Sequence, residues 1–214
     1  MRHFGRWVYG AGCTISRVAS ASEGLKMIVG NPSTFAIESQ ITQAFERLGS
    51  RALGSFTILI EGFRYGVYEP DATLLAVSFD EVQRRITRRG SHITPFTDAE
   101  AGVIADAYRA AVYGEQYGSS YPGISLEDFA FSVFSSRITW APDGDEAFDD
   151  GSYVLQFDAD TRVRLIGFRT RPDGRYDSST LKDVWLEGEQ FYGVLHRWHA
   201  SFLAEWESFS KVKD

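Results

Sequence analysis

Cysteine is almost missing from this chain: Cys13 is the only one in 214 residues. That excludes an intrachain disulfide framework and any cysteine-rich zinc site, and it fits a reducing compartment. Long apolar runs are also missing. No stretch of about 18 residues is continuously apolar, so no membrane span is expected. Basic residues are in deficit, with 22 Lys and Arg against 29 Asp and Glu, a net charge of -7. Non-specific nucleic-acid binding needs a surplus of cations to displace counterions, so that class of partner is excluded and a basic partner is favoured. A Gly-x-Ser-x-Gly elbow, a P-loop, a dinucleotide fingerprint and internal repeats are all lacking, and no cofactor is expected.

What is present in quantity is aromatic: Phe 16, Tyr 10 and Trp 5, or 14% of the chain. Some of these rings must fill a core, and others are available as interface anchors. With 43% hydrophobic residues over this length, one domain can bury a sizeable core.

The alternation in Phe35–Ile41 predicts a half-buried strand after an Asn31-Pro32 turn. Leu48–Ser55 reads as a glycine-punctuated loop. Phe56–Ile60 and Tyr65–Tyr68 read as strands joined by a hairpin turn over Glu61–Arg64. Ser78-Phe79-Asp80-Glu81 and Thr97-Asp98-Ala99-Glu100 have capping-box spacing, each opening a helix. The first helix carries Val82 and Ile86 and can end at Gly90; the second carries Val103, Ile104, Ala107, Tyr108, Ala111 and Val112. A shorter helix over 126–134 follows Ser125, and Ile138-Thr139-Trp140 reads as a strand. Residues 153–157 and 162–168 form a hairpin about Asp158-Ala159-Asp160, and Val184–Leu186 is a short strand. Glu187–Glu207, with Phe191, Leu195, Trp198, Phe202 and Trp206 at helical spacing, is the strongest helix. The fold class expected is α+β, a single domain with a largely antiparallel sheet, helices packed on it and a long C-terminal helix.

Residues 1–26 read differently. A secretory leader needs a basic start, an apolar core and small residues at the cut. Here the middle is short, glycine-rich and interrupted by Arg6. Gly10-Ala11-Gly12-Cys13 departs from a lipoprotein cleavage box because Gly10 stands where a large apolar residue belongs. Met27 opens a cleaner domain, and codons for Glu23-Gly24 spell a purine-rich tract of the kind that precedes a bacterial start codon. The expectation is a disordered extension over 1–26, arising from a start assigned too early, and an α+β domain over 27–214.

The densest chemistry lies in 141–151, where Asp143, Asp145, Glu146, Asp149 and Asp150 put five carboxylates into eight residues with no lysine or arginine among them. Such crowding is tolerated where the charge is solvated, bound to a cation or presented to a basic partner. A calcium loop starting at Asp143 would have Ala147 and Phe148 at its fifth and sixth places, where a ligand and a glycine belong, so no metal site of that kind is expected. Asp145 and Glu146 could divide acid and base roles only if their environments split their pKa values, and no nucleophile or oxyanion donor accompanies them. A metal-dependent hydrolase using the Asp143–Asp150 loop is the competing enzyme reading. A solvated turn and a recognition surface with Phe148 as an anchor are the others. Arg84, Arg85, Arg88 and Arg89 form a strip directed away from Val82 and Ile86, able to hold phosphate but ordinarily a solvated helix face. His196 and His199 lack the i, i+4 spacing and the intervening glutamate of a zinc helix and read as half-buried helix-face residues.

Longer blocks carry a resemblance. Met27–Glu38, Tyr65–Leu75 with Ser78–Val82, Trp140–Asp158, and Asp183–Leu186 with Phe191, Tyr192 and Trp198 resemble the immunity protein 42 family of bacterial polymorphic toxin systems, from Met27 to about Trp206. The resemblance implies a small cytoplasmic protein made beside a toxin gene, which binds the toxin domain and blocks it stoichiometrically. It implies no catalytic residues. Toxin domains that act on nucleic acid are often basic, so the expected partner is a cognate toxin domain with a basic surface. Asp143, Asp145, Glu146, Phe148, Asp149 and Asp150 are the residues expected to face it.

Overall fold

Strand β4 (Phe35–Phe45) grows from the alternating segment and lies at the centre of the larger sheet. The protein is described by a computed structural model over residues 8–9, 13–20, 23–113, 122–140, 146–172 and 174–213. β4 pairs antiparallel with β3 (Glu23–Asn31) on one side and β5 (Ala52–Ile60) on the other, with Val29 opposite Ile37 and Ile37 opposite Ile58. β2 (Cys13–Ser20) and β1 (Val8–Tyr9) continue the sheet beyond β3. The boundary expected at Met27 therefore falls inside a strand. β6 (Phe63–Tyr65) and β7 (Thr73–Leu74) pair with β5, and β11 (Lys211–Val212) adds a short parallel pairing to β4. Between β5 and β6, Glu61 at φ 49° and Gly62 at φ 78° give the two left-handed residues of a tight hairpin turn, shorter than the expected one.

β4 is buried on both faces through Ile41, not half-buried, because helices cover one face and Glu38, Gln40, Ser55 and Thr57 are also removed from solvent on the other. The loop expected over Leu48–Ser55 is half strand: β5 begins at Ala52. Gly54 lies where β4 comes so near that a Cβ would stand 1.9 Å from the Gln40 carbonyl oxygen. The glycine marks a close backbone approach, not a loop.

The remaining antiparallel strands form a second sheet, ordered β10-β9-β8: β8 (Ser152–Ala159), β9 (Arg162–Arg169) and β10 (Lys182–Glu187). α1 (Leu75–Thr87) and α4 (Gly188–Ser208) join the two sheets. Phe79, Phe191, Leu195, Trp198 and Phe202 pack with Ile37 and Phe56 of the larger sheet and with Val154, Val163 and Leu165 of the smaller one. On its opposite face the smaller sheet presents Leu155, Phe157, Ile166 and Phe168 to α2 (Ala101–Tyr113) and α3 (Leu126–Ser135), whose Ile104, Tyr108, Phe129 and Val133 complete a second core. The alternation of a strand thus serves two cores at once. The class is α+β, as expected, with the strands divided between two sheets. No helix among the described residues is long and apolar enough to cross a membrane.

The caps depart from expectation in two cases, Ser78 and Thr97: α2 begins only at Ala101, and the Thr97 hydroxyl donates to the Thr94 carbonyl at 2.9 Å and caps no helix amide. Ser125 caps α3 by accepting the Asp128 N–H at 3.1 Å. Ser78 caps nothing: α1 begins a turn earlier, at Leu75, and buries Ser78 on its core face. Glu81 is instead held by ion pairs with Arg84 and Arg85.

Candidate functional site

The acidic segment is fixed at both described ends. Before it, Ile138–Trp140 runs along β8, with the Gln156 N–H donating to the Ile138 carbonyl and the Trp140 N–H to the Val154 carbonyl, each at 2.8 Å. The expected strand here is one isolated bridge, Thr139 with Leu155. The Trp140 ring is buried against Phe35 and Phe191. After it, Glu146–Phe148 forms a single 3-10 turn. Asp143 and Asp145 lie outside the described residues.

That turn is anchored by its apolar members. Ala147 is fully buried, and Phe148 is 6% exposed, its ring edge-on to Phe56 at 6.2 Å. The Val67 N–H donates to the Ala147 carbonyl at 2.8 Å. Gly66 makes this docking possible: at φ 112°, a Cβ would lie 2.8 Å from the same carbonyl oxygen. The same turn ends β6 at Tyr65, three residues before the expected strand end. Asp150 is committed too. Its Oδ1 accepts the Ser152 N–H at 3.1 Å, and its Oδ2 lies 2.7 Å from Nη2 of Arg169. Arg169 in turn donates to the Ser152 hydroxyl and the Arg64 carbonyl, and its guanidinium lies over the Phe63 ring.

Of the expected partner-facing residues that are described, Glu146 and Asp149 are exposed to solvent, Asp150 is half-buried in its ion pair, and Phe148 belongs to the core. With its ring edge-on to Phe56 and largely buried, Phe148 holds the loop to the core. Among the described residues the most exposed rings are Phe131 (72%) and Phe134 (63%), on one face of α3. The sequence signals only a short helix after Ser125; which of its apolar side chains face outward depends on where α2 and the smaller sheet lie.

The arginine strip divides. Arg84 and Arg89 reach Glu81 and Glu189 at the surface. Arg85 lies on the core face of α1, contrary to expectation, and is fully buried. It is paired with Glu81, donates to Gln156 Oε1 at 3.0 Å and to the Thr139 carbonyl, and lies over the Trp140 ring. Burial lowers its pKa and Glu81 opposes that shift. His199 is half-buried and stacked on Phe79 at 4.2 Å, while His196 is exposed. Among the described residues no three His, Cys, Asp or Glu side chains gather as a metal set.

Known proteins place the chain in context. The family model described as Immunity protein 42 matches residues 27–201. A solved structure, CdiI from Burkholderia dolosa AUO158, aligns with 82% of this chain and 99% of its own, at a TM-score of 0.50 and 22% identity, a similarity of fold. No curated protein matches.

Proposed function

The chain belongs to the immunity protein 42 family, and we propose that it binds a cognate toxin domain in the cytoplasm of the producing cell and neutralises it by stoichiometric occlusion, without turnover. The observation that carries this reading to a surface is the anchored acidic turn. Phe148, Ala147 and the Asp150–Arg169 pair hold the backbone, while Glu146 and Asp149 point charge into solvent. In the sequence, Asp143 and Asp145 precede these two carboxylates. Carboxylates on a prepositioned turn steer a basic partner and cost little ordering entropy on contact.

The test is neutralisation of the toxin domain encoded beside this gene, with Glu146→Lys and Asp149→Lys combined. The variant is expected to melt like the parent, because neither side chain is buried, and to lose about tenfold or more in association rate at low salt. Full protection with an unchanged rate would exclude the loop from the contact. A second face has its own support in the exposed rings of α3, since aromatic side chains are the usual energetic anchors of protein interfaces. Phe131→Ser with Phe134→Ser would then be the damaging change. The hydrolase reading loses one ligand to Arg169, whose guanidinium already occupies Asp150; a divalent-ion-dependent rise in melting temperature would restore it.

A further inference from the structure

At the opposite end of β8 from the acidic turn, about 20 Å away at the rise of a strand, six side chains line a small cleft that opens to solvent: Glu81, Arg84, Arg85, Arg88, His92 and Arg137. Four guanidinium groups meet one carboxylate there, in a chain of net charge -7. Glu81 lies 2.9 Å from Nε of both Arg84 and Arg85, and Arg85 spends its remaining donors inside the protein. Arg88 and Arg137 form no ion pair among the described residues, and Arg137 keeps a left-handed backbone at φ 48°.

His92 supplies the complementary group. It is 2% exposed, and its Nδ1 lies 2.9 Å from the Ser136 carbonyl oxygen. A carbonyl only accepts, so the ring proton sits on Nδ1 and Nε2 keeps a lone pair. That Nε2 is buried and has no partner among the described residues. Burial and then Arg85 lower the ring's pKa, against the Ser136 carbonyl, Asp158 and Glu81, so the ring is neutral at physiological pH.

We infer that this cleft binds a phosphate-sized oxyanion that still carries an O–H, with its ionised oxygens toward Arg88 and Arg137 and its O–H donating to Nε2 of His92. Inorganic phosphate near neutral pH meets both requirements. Sulfate has no O–H and leaves Nε2 without a donor unless the ring takes up a proton among arginines. A phosphomonoester, with a second pKa of about 6, has also lost its O–H at pH 7.5. The cleft therefore discriminates between the free ion and a terminal phosphate group. The inference does not rest on toxin binding, and its assays contain no toxin.

The test is titration of the full chain with inorganic phosphate, sulfate and methyl phosphate at pH 7.5 and constant ionic strength, read by the His92 ring and arginine Nε resonances. Phosphate is expected to shift these signals and to bind about tenfold or more tightly than either competitor, since a buried acceptor left without a donor penalises the complex. Arg88→Gln and Arg137→Gly should each weaken binding about tenfold. Glycine suits the left-handed position, so Arg137→Gly is expected to keep the parent's melting temperature or exceed it. Equal affinity for phosphate and sulfate would overturn the role of His92. Shifts that persist in the Arg88→Gln, Arg137→Gly double variant would mean adventitious ion binding only and overturn the site. Failure of phosphate binding leaves neutralisation through the acidic turn untouched, and the reverse also holds.

Discussion

Truncating Phe148 to alanine separates the two readings of the acidic turn. The ring is 6% exposed and meets Phe56 edge-on at 6.2 Å. Burying a phenylalanine contributes about 1.5–3 kcal/mol by transfer alone, and incomplete collapse of the cavity brings Phe→Ala losses to about 3–5 kcal/mol. The site lies in a turn, where relaxation is easier than within a sheet, so about 3–4 kcal/mol is the working figure. For a domain of this size each kcal/mol lowers Tm by about 2–4 °C, which gives a fall of about 6–16 °C. Phe148→Leu, which keeps most of the volume, should lose about 1.5 kcal/mol or less. The assay is thermal melting by circular dichroism, paired with toxin binding at a temperature where both variants are folded. A Tm within about 3 °C of the parent, together with lost toxin binding, would refute the reasoning, because it would put the ring at the interface and not in the core.

Gly66→Ala places a Cβ 2.8 Å from the Ala147 carbonyl at a backbone φ of 112°, so it should destabilise by about 2 kcal/mol or more and raise amide exchange at Val67; unchanged exchange would mean that the turn is not docked there. His92 has a pKa below its ordinary 6.5, chiefly through burial, and His199 is likewise lowered. A depressed histidine stays neutral in the fold while the unfolded chain takes up protons, so stability should fall as pH drops through about 6.5 toward the folded-state value and level off above it. Denaturant melts at pH 7.5 and 5.5 would check this; equal midpoints would count against it. A chain starting at Met27 should keep a cooperative melting transition, because it retains the β3–β4 register from Met27 opposite Ser39 to Asn31 opposite Phe35. Loss of that transition would give β1 and β2 an obligatory structural role, and mass spectrometry of the native protein would show where translation starts.

The parts that were legible share a short range. Ser125 caps α3 through an amide three residues away, and the α4 stripe reports its buried face through its own spacing. The β8–β9 hairpin follows from two alternating segments with a tight turn at Asp160. The misreadings arose where a local signal had a distant cause. Gly54 looked like a loop residue and is a strand position pressed against Gln40. Ser78 had capping spacing, yet the preceding apolar run was pulled into the helix by the core it covers. The acidic cluster was visible as a cluster, but not the division of labour within it, since the partners of Asp150 and Phe148 are Arg169 and Phe56.

Composition, periodicity and long sequence blocks were enough to establish the α+β class, the helical C-terminus and membership of a toxin-immunity family, because each is written in neighbouring residues or in extended similarity. Tertiary structure alone decided which of several chemically equal side chains face solvent: Phe148 inside and Phe131 outside, Arg85 buried and Arg88 at the mouth of a cleft. Burial is a property of packing between segments far apart in the chain. Arg85 meets Gln156 across 71 positions, and no spacing rule within either segment encodes that meeting.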